Sequence, residues 1–340
     1  MNRKELVKTL SLVGHALAPN AVVPMFANFM FSGKHVTAYN DQICIDAPCQ
    51  TDQAYALNGK TLLGLLTNSK AEEVIFSISE KAEFEVNIKA GRSTFKLPYQ
   101  PKEEFLFAEP TDKFKSISTD KLKEAMDACL ITASKDNTQP AFMGVCLNLG
   151  EGALYSCDGD AISQYSLPTK GEEGTYMLPN AFCEAVLSIV EETKELISSF
   201  KLSKDWAKAT IGDFNIWGRL IEVDSPLDYE DQIQKTLNGN HEFSAVPKAL
   251  SAALDRARVL ADAESAKTTF TVEGGRLKLL TETHMGVVRD SMDFKHADVV
   301  ANTSAALVQR SIKLCDQISI LENCTAYKGD RLLVVVSNME

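Results

Sequence analysis

The segment Arg3-Lys4-Glu5-Leu6-Val7-Lys8-Thr9-Leu10-Ser11-Leu12-Val13-Gly14-His15-Ala16-Leu17 puts Leu6, Leu10, Val13 and Leu17 on one stripe of a helix. Lys4, Lys8, Ser11 and His15 fall on the opposite stripe. Such a helix buries one side against a partner layer and leaves a basic side outward. Five further segments repeat the spacing, over 58–69, 119–133, 179–192, 247–261 and 303–317. They fall into three pairs whose starts lie roughly 55 to 60 residues apart: 3 and 58, 119 and 179, 247 and 303. A fixed period of this kind marks one supersecondary unit copied along a chain.

Working outward, the residues between helices alternate apolar and polar in short runs. Examples are 74–79 (Val-Ile-Phe-Ser-Ile-Ser), 84–89 (Phe-Glu-Val-Asn-Ile-Lys) and 331–336 (Arg-Leu-Leu-Val-Val-Val). These predict strands, separated by turn signals at Gly91, Gly150 and Gly152, Gly274-Gly275 and Gly329. Helices set among consecutive antiparallel strands argue for an α+β fold of three similar domains, each with two helices packed on antiparallel sheets. A doubly wound parallel sheet would need strict strand-helix alternation. Proline and charge interrupt the pattern at 97–112 and 224–240, so the expected domains are 1–112, 113–240 and 241–340.

The 340 residues are long enough for several cores, and 45% hydrophobic with 24% charged residues excludes disorder and fibrous repeats. Thirty-five basic against 46 acidic residues leave a formal charge of −11. A nucleic acid would be repelled at long range unless base were gathered locally. No apolar run approaches a membrane span and the N-terminal segment lacks a signal-peptide core, so the expected location is cytoplasmic, with no membrane partner. Eight cysteines, none in a Cys-x-x-Cys pair, predict buried reduced thiols. Phosphate-loop, dinucleotide, metalloprotease and serine-hydrolase signatures are all missing, and the five histidines are scattered. Asp158-Gly159-Asp160 could suggest a metal-dependent hydrolase, but two carboxylates around glycine after a strand more often make a turn. The expectation is a non-enzyme with no cofactor and no metal.

The helices carry the positive signal. Lys4 and Lys8 mark the first, Lys60 and Lys70 the second, Lys121, Lys123 and Lys135 the third, Lys248, Arg256 and Arg258 the fifth, and Arg310 and Lys313 the sixth. One such helix would be a solvated face. Recurrence at equivalent places in an acidic chain predicts a shared surface that attracts phosphates without reading bases. The fourth helix dissents, with Glu184, Glu191 and Glu192.

Three stretches resemble the bacterial DNA polymerase III beta subunit, the sliding clamp. Residues 90–105 contain Gly91-Arg92-Ser93 with Phe95, then Leu97-Pro98 and Glu103-Glu104-Phe105; residues 154–163 resemble that family's Asp-Gly turn; residues 211–232 resemble its Gly-Asp-Phe strand and the Phe-Pro-Asp-Tyr segment that follows. The resemblance implies a ring of two chains joined head to tail, with strands outside and helices inside, encircling duplex DNA to tether a replicative polymerase. Twelve helices about 9 Å apart would enclose a bore of roughly 35 Å, wider than a duplex of about 20 Å. It further implies that Lys4, Lys8, Lys60, Lys121, Lys123, Lys248, Arg256, Arg258, Arg310 and Lys313 face the bore. Arg92 and Phe95 would meet Val259, Leu260 and Glu282 of the neighbouring chain at each seam. Polymerase and clamp loader would insert a short peptide into a pocket made by Phe142, Asp160, Ile162, Leu227, Val335, Val336 and Met339. Where the family carries base, this chain has Asp160, Ala161, Asp231 and Glu340. Altered partner specificity and a slightly short chain are what a divergent clamp of a phage or mobile element would have. A clamp-fold scaffold that binds proteins without encircling DNA is the alternative.

Overall fold

The computed structural model describes residues 1–18, 20, 22–51, 53–80, 82–134, 142–168, 173–223, 227–238, 241–260 and 267–339. In chain order the elements begin with α1 (Arg3–Val13), β1 (Asn28–Ser32), β2 (His35–Tyr39), β3 (Ile43–Pro48), β4 (Ala54–Asn58), α2 (Gly59–Thr67), β5 (Val74–Ile78), β6 (Glu85–Ala90) and β7 (Ser93–Pro98). There follow β8 (Lys115–Ile117), α3 (Leu122–Cys129), β9 (Gly144–Asn148), β10 (Ala153–Cys157), β11 (Ala161–Ser166), β12 (Thr175–Pro179), α4 (Asn180–Thr193), β13 (Ile197–Leu202), β14 (Trp206–Ile211) and β15 (Phe214–Arg219). The last part holds α5 (Tyr229–Leu237), β16 (Ser244–Ala245), α6 (Leu250–Leu260), β17 (Lys267–Glu273), β18 (Arg276–Thr283), β19 (Gly286–Asp293) and β20 (Val299–Ser304). It closes with α7 (Ala305–Ser311), β21 (Gln317–Ile320), β22 (Cys324–Lys328) and β23 (Leu332–Ser337).

All six helices expected from spacing are present, five of them with both ends within four residues of the expected span, while α7 stops at Ser311 rather than at 317. Their ends follow local chemistry: Asn2 caps α1 by accepting from the Lys4 and Glu5 amides, and the Asn58 side chain accepts from the Thr61 amide at the start of α2. The seventh, α5, lies where the sequence reading saw only a boundary. Asp228 caps it by accepting from the Asp231 amide, and Tyr229, Ile233 and Leu237, four residues apart, are its buried stripe.

Residues 1–119 with 181–220 form one compact unit. Its main sheet runs β4-β1-β2-β3-β15-β14-β13-β8, and a second sheet runs β5-β6-β7. Leu6, Leu10 and Val13 of α1 and Leu62 and Leu66 of α2 are buried. Phe182 of α4 lies so close over Gly218 of β15 that a Cβ there would come within 2.6 Å of the ring, which is why the strand carries glycine at that point.

Residues 120–180 with 221–340 form the other unit. Its sheets run β12-β9-β10-β11-β23-β22-β21-β16 and β19-β18-β17-β20. Every strand pairing among the described residues is antiparallel. Each eight-stranded sheet is built from two sequence-remote halves, joined where Ile45 pairs with Ile216 and where Ile162 pairs with Val335. No described helix is long and apolar enough to cross a membrane.

Candidate nucleic-acid and partner interfaces

In the first unit Lys4 and Lys8 line a groove of about 470 Å³ between α1 and α4, which His15, Ser188, Glu191 and Glu192 also line. Lys8 is not a bare cation: its Nζ lies 3.3 Å from Glu192 Oε1 and donates to the Glu192 carbonyl at 2.9 Å. The acidic fourth helix thus supplies a counterion to the first. In the second unit Lys121 pairs with Glu124 at 3.1 Å, and Arg256 of α6 makes a two-pronged contact with Asp290 of β19 at 2.6 and 3.1 Å. Pairing of this kind leaves unpaired positive charge on Lys4, Lys60, Lys123, Lys248, Arg258 and Lys313, which carry no ion-pair partner among the described residues. Arg310 is half-buried on α7. Lys135 lies outside the described residues.

The residues expected at a seam belong to two units, Arg92 and Phe95 to the first and Val259, Leu260 and Glu282 to the second. On the first unit, α2 and the turn from β6 to β7 enclose a cleft of about 930 Å³ lined by Lys60, Thr61, Leu65, Lys70, Arg92 and Phe95. Lys60 therefore shares a wall with Arg92. On the second unit, Val259 at the end of α6 is 71% exposed, with Met285 and Val287 of the β18–β19 hairpin also exposed. Leu260 packs against that hairpin, its methyls 3.7 Å from where a Cβ of Gly286 would stand. Glu282 is exposed on β18 beside them. An apolar ridge left in water at the edge of a sheet is the kind of surface a partner covers.

The expected peptide pocket has a buried floor in the second unit. Tyr155, Cys157, Met177, Tyr229, Ile233, Ala326 and Val335 form one apolar cluster, and Phe142, Ile162 and Leu227 pack against it half-buried. Tyr155 and Tyr229 stack at 5.1 Å, so α5, unseen in the sequence, builds this floor. The 229, 233, 237 spacing after Asp228 was the signal that could have found it. Val336 corrects the expectation. One residue past Val335 it points to the opposite face of the sheet, by the two-residue period of a strand, and it is fully buried there. Met339 is half-buried just beyond β23, its amide bonded to the Asn302 carbonyl at 3.0 Å. Glu340 lies outside the described residues.

Asp158 and Asp160 make a turn. Asp158 Oδ1 accepts from the Asp160 and Ala161 amides at 3.0 and 2.7 Å, and Gly159 adopts φ +99°. Burial raises the Asp158 carboxyl above the usual carboxylate range. Asp160 is exposed, and its carbonyl accepts from the Ser337 amide at 2.7 Å. Among the described residues no three His, Cys, Asp or Glu side chains are placed to hold a metal. All eight cysteines are free and buried. Burial pushes the Cys49, Cys157 and Cys324 thiols up to about 11, which makes them packing residues rather than nucleophiles.

No protein-family model matches the chain, and no curated protein matches it by sequence. Solved structures match it over its whole length. The DNA polymerase III beta subunit of Thermotoga maritima superposes with a TM-score of 0.84 at 18% identity, covering 100% of this chain and 98% of that one. A sliding clamp of Bartonella birtlesii bound to griselimycin gives 0.85 at 16%, covering 100% and 98%. The DNA polymerase III beta subunit of Pseudomonas aeruginosa gives 0.81 at 17%, covering 100% and 99%. The chain has the fold of these clamps.

Proposed function

We propose that this protein is a DNA sliding clamp, a non-catalytic ring that holds a replicative polymerase on duplex DNA. The observation that carries the reading is the sheet inventory. If the repeats are 1–112, 113–240 and 241–340, each eight-stranded sheet joins the first four-stranded half of one repeat, β1–β4 or β9–β12, to the late strands of the next, β13–β15 or β21–β23. The three-stranded sheet of the first repeat and the four-stranded sheet of the last remain open-edged. Head-to-tail pairing of two chains through those edges makes the missing composite sheet twice and closes a ring.

In that ring the Leu260 ridge enters the Arg92 and Phe95 cleft of the next chain, and the basic helix residues line the bore. The contacts with DNA are phosphate contacts without sequence preference. A ring holds DNA by topology, so three of its ten basic positions can be neutralised by Glu192, Glu124 and Asp290 without loss of tethering. Weak contacts favour sliding. Polymerase and clamp loader dock through short peptides in the cleft over the Tyr155 and Tyr229 floor.

That same neutralisation favours one alternative, a clamp-fold scaffold that does not encircle DNA. One experiment separates them. Purified protein should have the mass of two chains, and once loaded onto nicked circular DNA it should stay bound through gel filtration and be released when the circle is cut. A dimer released equally from circular and linear DNA would favour the scaffold.

A further inference from the structure

The peptide cleft is electrically one-sided. One carboxylate touches its floor, Glu151, which accepts from the Tyr155 hydroxyl at 2.5 Å, while Glu230 acts through space on the same phenol, and Asp158 and Asp160 on Cys157. Burial first, and these carboxylates after it, raise Tyr155 and Cys157 above their usual values. Two cations lie near. Lys235 is tied to Asp231 at 2.6 Å on α5, and Lys328 sits 5.5 Å over the ring of Phe243, which packs against the other side of the cluster. Neither cancels the carboxylates around Ile162, Leu227 and Tyr155.

We propose that this cleft selects a short peptide whose apolar anchors are flanked by lysine or arginine, and rejects the same anchors flanked by acid. The proposal rests on the reading of the cleft as a peptide pocket. Apolar anchors would fill the space over Ile162, Leu227 and Val335, and the flanks would lie beside Asp160 and Glu230, both exposed. Opposite charge at a rim speeds encounter and like charge suppresses wrong partners, so the carboxylates act as a filter rather than as the source of affinity.

Three fluorescent peptides with identical leucine and phenylalanine anchors test this, with Lys-Lys, Ser-Gly or Glu-Glu flanks, titrated against the full chain at low and at physiological salt. The basic peptide should bind about tenfold more tightly than the acidic one at low salt, with the gap narrowing as salt rises. The double reversal Asp160→Lys with Glu230→Lys should invert the order. Leu227→Ala should weaken all three alike. Binding that depends on Leu227 yet ignores the flanks, or an order that survives the reversal, overturns the charge filter and leaves the pocket standing. Absence of binding by all three, or binding untouched by Leu227→Ala, overturns the pocket and the filter with it.

Discussion

Asp158 shows what a single residue does when geometry and charge pull apart. Its Oδ1 closes the turn that carries Asp160, which an asparagine oxygen would do equally well, while its buried charge is disfavoured by desolvation and by Asp160. A carboxyl whose folded pKa is raised binds its proton more readily in the folded state than in the unfolded one. Its stabilising contribution is therefore complete below the unfolded value near 4 and fades as pH rises through the folded value. Asp158→Asn should raise the melting temperature at pH 7, and the gain should vanish in a scan at pH 3, where the aspartate is already protonated. A gain that persists at pH 3 would mean the charge is not its cause. The same residue shows how far residue-level reading of the sequence reaches. The two carboxylates around Gly159 suggested a turn and the structure has one, whereas the burial that perturbs Asp158 is a tertiary property that no local pattern of residue types reports.

At the scale of the element, α3 is held by polar bonds rather than by apolar area alone. Thr132, just past its end, is fully buried and its hydroxyl meets those of Ser156 and Ser163 at 2.7 and 2.8 Å, while Ser156 donates to the Cys129 carbonyl. Thr132→Val keeps the shape and takes the partner from the buried Ser163 hydroxyl, while Ser156 keeps its bond to the Cys129 carbonyl, so it should cost about 1–3 kcal/mol. Thr132→Ser should recover most of that. Urea unfolding followed by far-UV circular dichroism checks both, because Trp206 and Trp217 belong to the other unit and would not report on α3. The six helices were legible because a stripe at 3.6-residue spacing survives any tertiary context. The helix α5 was not, because Pro226, Asp228 and the acid run at 230–231 read as a breaker before the Tyr229, Ile233 and Leu237 stripe is noticed. Equally hidden were the ion pairs of Lys8 and Arg256. Glu192 lies 184 residues from Lys8, and only the packing of α4 on α1 makes them partners.

For the whole molecule the proposed ring must both close and thread DNA. Reversing Lys4, Lys123, Lys248 and Arg258 to glutamate should shorten retention on circular DNA and flatten its salt dependence, by about 0.9 in log-log slope for each phosphate no longer neutralised. Reversing the already paired Lys8 and Lys121 should do less, and equal effects of both sets would argue against a bore charged by the unpaired residues. Closure is the more demanding claim. Phe95 lies half-buried in its cleft on one unit and Leu260 stands beside the exposed Val259 on the other, and the proposed seam joins them between chains. Truncating both removes the apolar body of one seam from each side, and a two-fold count of seams means that every dimer is weakened twice. Phe95→Ala with Leu260→Ala should therefore sediment as a single chain at micromolar concentration, with far-UV dichroism unchanged, and should dissociate from circular and linear DNA alike. Leu196→Ala is the matched control, since that side chain is 81% exposed just before β13 yet lies on neither surface. It should leave the dimer intact. A double variant that keeps the mass of two chains would place the seam elsewhere, and a Leu196→Ala variant that also dissociates would show that exposure of any apolar side chain, rather than this contact, governs assembly.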